Sequence, residues 1–251
     1  MTRFAALHHR AEALLLPNAW DHASARALAA QGFSAIGTTS LGVAAAAGLP
    51  DGAAGTRDET LRLALTLGRG PFLLSVDAEG GFSEVPEEVG EFARQLAVVG
   101  AVGINLEDGL APAARHAAKI AAVKSAAPGL FVNARTDTYW LGGHDRRAET
   151  LARLDAYQQA GADGVFVPGL TDPAEIAALV KHLDVPLNVL CSPSGPTLTR
   201  LTDLGVRRVS LGSLLYRRAL GAALQAVAEV REGRAPHGPA PTYDDVQALS
   251  G

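Results

Sequence analysis

The sequence predicts an α/β fold, a single (β/α)8 barrel of the TIM type with a C-terminal helical extension. Three observations carry this. Short apolar runs of strand type alternate with helical stretches eight times along the chain. Four units open on one plan, in which a glycine closes the preceding helix and an apolar run follows: Gly32-Phe33-Ser34-Ala35-Ile36-Gly37, Gly100-Ala101-Val102-Gly103-Ile104-Asn105, Gly161-Ala162-Asp163-Gly164-Val165-Phe166-Val167 and Gly205-Val206-Arg207-Arg208-Val209-Ser210. No linker divides the 251 residues, a length that allows one large domain or two small ones. The competitor, a doubly wound open sheet, has a glycine-rich first turn, and Pro17-Asn18-Ala19-Trp20-Asp21 is not one.

In chain order, strands are predicted to start near residues 13, 34, 72, 102, 130, 163, 185 and 206. Ala13–Leu16, Phe72–Val76, Leu130–Ala134 and Val185–Leu190 are the apolar runs lying between the glycine-led ones. Helices are predicted over 22–31, 57–68, 86–99, 113–126, 146–160, 173–182, 196–204 and 213–232. The barrel should occupy 1–232, and residues 233–251 should form a Pro-rich arm ending in a short helix capped at Thr242. That arm is expected either to cap the barrel floor or to reach a neighbouring subunit.

Composition narrows the function. A net charge of −4 leaves no broad basic face for nucleic acid or an anionic membrane. The lone Cys191 excludes an internal disulfide and a Cys-rich zinc site. Residues 27–50 carry no charge, but Gln31, Gly32, Ser34, Gly37 and Thr38–Ser40 interrupt them, so no span is expected there. The first 16 residues lack the apolar core of a signal peptide. A cytoplasmic protein is expected.

Active sites of this barrel lie at the carboxyl ends of the strands. Strict alternation turns Leu74, Val76, Ile104, Leu106, Val132, Ala134, Leu187 and Val189 towards the helices. It turns Ser75, Asp77, Asn105, Glu107, Asn133, Arg135, Asp137 and Asn188 towards the axis, with Glu79 in the same phase if its strand persists. Burying such a set without function costs several kcal/mol unless every group is paired. The bland alternative is a structural ion-pair network centred on Arg135. Neighbouring strands lie about 4.8 Å apart, so Asp77 and Glu107 can reach one cation directly or through water. Oxygen ligands alone suit Mg2+, or Mn2+. Only Lys119, Lys124 and Lys181 are lysines, and all fall on helices, which argues against covalent lysine catalysis and for a metal as electron sink.

With these residues in place, the chain resembles the isocitrate lyase/phosphoenolpyruvate mutase superfamily, from Pro17 to about residue 220. The motifs fall in order: Thr38-Thr39-Ser40 with Gly48-Leu49-Pro50-Asp51, Asp77-Ala78-Glu79-Gly80-Gly81-Phe82, Gly103-Ile104-Asn105-Leu106-Glu107-Asp108, Asn133-Ala134-Arg135-Thr136-Asp137, Gly161-Ala162-Asp163, Phe166-Val167-Pro168-Gly169 and Pro186-Leu187-Asn188-Val189. The resemblance implies that Asp77 binds Mg2+ while Glu79 and Glu107 hold its waters. It implies that backbone amides of Thr39, Ser40 and Leu41 hold a 2-oxo acid carboxylate, that Arg135 binds substrate, and that Asp51 and Asn188 belong to the site. Glu79 stands where the family has Asp. The segment Asp108–His116 is short and lacks the cysteine and lysines of the family's lyase loop. His116 is either a proton shuttle on a closing loop or a solvated residue at a helix start.

The expected activity is an Mg2+-dependent lyase or decarboxylase that splits a C–C bond of a small 2-oxo or 2-hydroxy acid, of the pyruvate, oxaloacetate or 2-oxoglutarate class, through an enolate. P–C bond chemistry on phosphonopyruvate and a 2-oxo acid binding protein with little turnover are the alternatives. The resemblance also implies a homodimer or homotetramer joined through residues 213–251.

Overall fold

Pro17 interrupts the first strand, and the interruption lets that strand serve two neighbours. In the computed structural model, which describes residues 1–142 and 146–250, β1 (Leu14–Leu16) pairs in parallel with β9 (Arg208–Ser210), and β2 (Asn18–Ala19) with β3 (Ala35–Thr38). Proline has no ladder N–H to give, but the Pro17 carbonyl accepts from Gly37 N–H at 2.8 Å. Between these lie β4 (Leu73–Asp77), β5 (Ala101–Glu107), β6 (Phe131–Arg135), β7 (Gly164–Val167) and β8 (Leu187–Leu190). All neighbours are parallel, in the order β1-β9-β8-β7-β6-β5-β4-β3-β2. Because β1 and β2 are two halves of one stave, the nine strands make an eight-staved TIM-type barrel. The sequence reading ended the first strand at Leu16 and took Asn18–Ala19 as a turn; the structure extends it past the proline.

The helices α2 (His22–Ala30), α4 (Arg57–Leu67), α5 (Pro86–Val98), α6 (Ala113–Ala126), α7 (Arg146–Gln159), α8 (Pro173–His182), α9 (Leu198–Asp203) and α10 (Leu214–Arg231) follow the predicted segments closely. Two helices were not anticipated, α1 (Arg3–Leu7) and α3 (Ser40–Ala47). The layer between barrel and helices holds the outward set, including Leu74, Val76, Ile104, Leu106, Val132, Val165, Leu187 and Val189.

α1 covers the amino-terminal ends of the strands. Phe4 and Leu7 pack with Ala35 and Phe131, the first residues of β3 and β6. Phe4 meets the Phe131 ring edge-on at 5.5 Å, and His8 stacks on it at 4.3 Å. The floor is therefore closed by the N-terminal helix and not by the arm. The arm ends in α11 (Tyr243–Gln247), capped by Thr242 as predicted, and lies along α2, where the His22 ring and Leu249 O are 3.0 Å apart. Among the described residues no helix is long and apolar enough to cross a membrane.

Candidate active site

The mouth is built where β4 and β5 end against the start of α3. Thr39 is the N-cap residue of α3 but makes no capping bond with its side chain. Asp77 takes that place: its Oδ2 accepts from Ser40 N–H at 3.1 Å, and its own N–H donates to Thr38 Oγ1 at 2.8 Å. A carboxylate at a helix N-terminus is held by an orphan donor and by the helix dipole. The segment Thr39-Ser40-Leu41, read from sequence as an amide-bearing turn, is thus the N-terminus of a helix that faces Asp77.

Register places Asp77 beside Asn105, and Glu107 beside Arg135. The guanidinium of Arg135 is gripped on two edges: Nη1 lies 2.7 Å from Glu107 Oε2, and Nη2 lies 2.7 Å from Asp137 Oδ1, to which Nε also donates. The ion-pair network weighed at the sequence level is present, and Arg135 is its centre.

β4 stops at Asp77, so Glu79 does not continue the inward phase. Its backbone turns to φ +46°. The buried carboxylate instead accepts from Ala54 N–H at 3.2 Å and from Thr56 Oγ1, fastening the 48–56 loop that carries exposed Asp51. Ala54, Glu79, Phe82 and Leu110 are the non-glycine residues with positive φ among those described, and the first three line the cavity beside Glu107. Backbone strain of this kind, about 1–3 kcal/mol per residue, persists where surrounding structure enforces it, often at functional sites.

Three carboxylates, those of Glu107, Asp137 and Asp77, therefore crowd one guanidinium, with Glu79 next to them. Burial raises the carboxyl of Glu107 to about 8, and Asp77, Asp137 and Glu79 add to the effect against the pull of Arg135. Burial likewise raises Asp77, opposed by Arg135 and the Ser40 amide. It raises Glu79 too, opposed by Thr56 and Ala54, with Asp51 and Asp77 reinforcing it. Crowded, desolvated carboxylates with only oxygen donors fit a hard divalent cation, whose charge removes that penalty. They do not form a closed cage: among the described residues no three His, Cys, Asp or Glu side chains are gathered as ligands. Such an open set would suit an ion that keeps most of its waters, and Asp77, Glu79 and Glu107 are the carboxylates that would hold it.

A cavity of 260 Å3 opens beside Glu79 and Glu107 and is also lined by Phe82, Arg115, His116 and Lys119. Asp77, Arg135, Thr39 and Asn188 do not line it. His116 is neither on a closing loop nor solvated: it lies within α6, 2% exposed, edge-on to Tyr157 at 4.6 Å. Burial depresses its imidazole to about 4, so it is neutral near pH 7. Asn188 is buried below the mouth, donating to Ser210 Oγ at 3.0 Å.

Two arrangements escaped the sequence reading. Asp108 is a buried acceptor hub: Oδ1 takes Leu110 N–H (3.0 Å) and Asp137 N–H (3.1 Å), while Oδ2 takes Tyr157 OH (2.7 Å) and Arg153 Nη1 (3.0 Å). Arg153 Nη1 also donates to Ala111 O at 2.7 Å, so the β5–α6 loop is pinned to α7. No spacing rule links residues that far apart in the chain. Arg208 is the other: 1% exposed inside the barrel, it donates to Ser210 Oγ and Asn105 Oδ1, both at 3.1 Å. Its alternation with Val209 and Ser210 was the available signal.

A family model described as phosphoenolpyruvate phosphomutase matches residues 4–231. An uncharacterised protein of Mycobacterium tuberculosis is 46% identical over 231 residues, covering 90% of this chain and 88% of that one. Oxaloacetate decarboxylase of Pseudomonas aeruginosa is 33% identical, covering 84% and 78%. The structure of phosphoenolpyruvate phosphomutase from Streptomyces platensis subsp. rosaceus superposes with a TM-score of 0.85 at 23% identity, covering 98% of this chain and 94% of that one, a likeness of fold. The barrel, the carboxylates at its mouth and these matches agree: the chain belongs to the phosphoenolpyruvate mutase family, within the isocitrate lyase/phosphoenolpyruvate mutase superfamily.

Proposed function

We propose that this protein is a cytoplasmic, Mg2+-dependent carbon–carbon lyase, and specifically a decarboxylase of a small 2-oxo dicarboxylate such as oxaloacetate. The observation that carries this is the cluster of buried carboxylates Asp77, Glu79 and Glu107 at the mouth of the barrel, with Arg135 beside Asp77 and Glu107. A bound divalent ion, Mg2+ or Mn2+, would polarise the 2-oxo group and take up negative charge as it develops on that oxygen. The chain's own groups do the rest. Asp77, fixed by its bond to the start of α3, would hold that ion. Arg135, held flat by Glu107 and Asp137, sets the positive side of the site.

The β5–α6 loop favours decarboxylation over cleavages that need a placed acid. It is short, carries no cysteine or lysine, and is pinned by Arg153. Loss of CO2 leaves proton delivery to water, so no such residue is required. Asp51, exposed on the loop fastened by Glu79, adds negative charge to the surroundings of Asp77 and is the residue on that loop that would act as a base.

The test is direct. With Mg2+, the protein should release pyruvate from oxaloacetate well above the rate given by the metal alone, and a chelator should abolish the difference. Phosphate release from phosphonopyruvate without pyruvate release from oxaloacetate would replace this reading with P–C bond cleavage. Tight 2-oxo acid binding without turnover would replace it with a sensor.

A further inference from the structure

We propose that Arg115 and Lys119 form a second anion subsite, one that selects a substrate with a carboxylate at its far end. The proposal rests on the reading of the mouth as a 2-oxo acid site and adds a specificity determinant to it. Arg115 and Lys119 stand one turn apart on α6, on the same face. Each holds one oxygen of the same carboxylate: Arg115 Nη1 lies 2.8 Å from Glu84 Oε2, and Lys119 Nζ lies 3.1 Å from Glu84 Oε1. The pair is thus already shaped around a carboxylate.

That carboxylate is easily displaced. The Glu84 side chain is 69% exposed on the loop before α5, where water and salt weaken an ion pair. Lys119 differs: its side chain is 7% exposed, and Nζ is fixed by Gly80 O at 3.0 Å. One cation is preorganised and the other is mobile, which suits a ligand that replaces Glu84 without rebuilding the wall. His116 lines the same cavity, and its buried Nε2 has no hydrogen-bond partner among the described residues. Glu79 and Glu107 line the same 260 Å3 cavity. A short acid that extends into this cavity from an ion held at Asp77, past Glu79 and Glu107, would bring its far end to Arg115 and Lys119. A methyl group there would leave both cations with Glu84; a carboxylate would exchange with it.

The test compares two ligands of equal chain length, 2-oxoglutarate and 2-oxovalerate, by calorimetry in the presence of Mg2+. The wild-type protein should prefer the dicarboxylate by on the order of tenfold. Arg115→Gln and Lys119→Met should bring that ratio close to one, Lys119→Arg should largely restore it, and Glu84→Gln should raise it. Arg115 and Glu84 are surface positions, so those two variants keep the test valid if Lys119→Met fails to fold. A ratio unmoved in the Arg115 and Glu84 variants, with 2-oxovalerate still bound, overturns the subsite alone. Failure of both acids to bind wild-type protein in Mg2+ overturns the subsite together with the 2-oxo acid reading of the mouth.

Discussion

Asp77, unlike Glu107 and Asp137, makes no salt bridge with Arg135, and its bond to the Ser40 amide makes it the most informative single position. Asp77→Asn keeps the volume and an acceptor for Ser40 N–H but removes the charge. It should weaken Mg2+ binding measured by calorimetry and lower decarboxylation by about 10²–10³, the range seen when a charge-stabilising group is lost. Arg208 is expected to matter for stability and activity alike. Burial pushes its guanidinium down to about 9, only the attraction of Asp77 opposes this, and Nη1 has no partner among the described residues. Removing one member of a buried charged network leaves its partners unpaired, at a cost of about 3–5 kcal/mol. Arg208→Met should therefore unfold at lower denaturant concentration, and turnover should fall as Asn105 loses one of its two donors. Asp77, Glu107 and Arg135 were legible because a period of two assigns each to the axis. Glu79 was legible only as a site residue, since its departure from the strand depends on a positive φ that no pattern announces. The Asp108 hub was hidden because its partners Arg153 and Tyr157 lie 45 and 49 residues away.

At the scale of elements, α1 ties stability to pH. Burial depresses His8 from the usual 6.5 to about 3, with Arg208 contributing. Its neutral ring sits 3.0 Å from Phe4 O. As pH falls below about 6.5 the unfolded chain takes up a proton that the folded chain refuses until about 3. The stabilisation is thus complete above 6.5 and is lost as pH drops through that window, at up to about 1.4 kcal/mol per pH unit. Raised carboxyls such as Glu107 act with the opposite sign over the same window, so the test is the difference between proteins: in urea titrations at pH 4.5 and 7, His8→Phe should lose less stability on acidification than the wild type. Beneath the same helix, a Cβ on Gly103 would stand 2.7 Å from the Phe4 ring. Gly103→Ala should destabilise by about 1–3 kcal/mol, as overpacking does, measured by thermal unfolding. α1 and α3 were the elements sequence reading missed. α3 is Ser-Leu-Gly-Val followed by four alanines, a run with no polar face, so it has no period to detect. The other helices alternate apolar and polar faces, and their limits were read closely.

At the scale of the molecule, α10 presents an apolar stripe to solvent: Leu220, Leu224, Val227 and Val230 are 50–63% exposed. A stripe of that kind on an isolated chain marks an association surface. We propose that it joins copies of the chain into a dimer or tetramer. Light scattering should report more than one chain per particle, and Leu224→Glu should shift the population towards single chains. The barrel architecture was legible in full, because eight βα units obey one repeat and their handedness leaves little choice. How the first stave behaves at Pro17 was not, because a proline after an apolar run reads as a stop.

That divided stave also dictates when synthesis can yield a finished barrel. Its first half waits for residues 208–210, the last stretch of sheet to leave the ribosome. Until then the nascent polypeptide carries two open borders, on β1 and β8, each able to recruit the wrong neighbour. Polypeptides terminated shortly before residue 208 should accumulate in inclusion bodies, whereas loss of the arm after 232 should leave the ring complete and the product soluble.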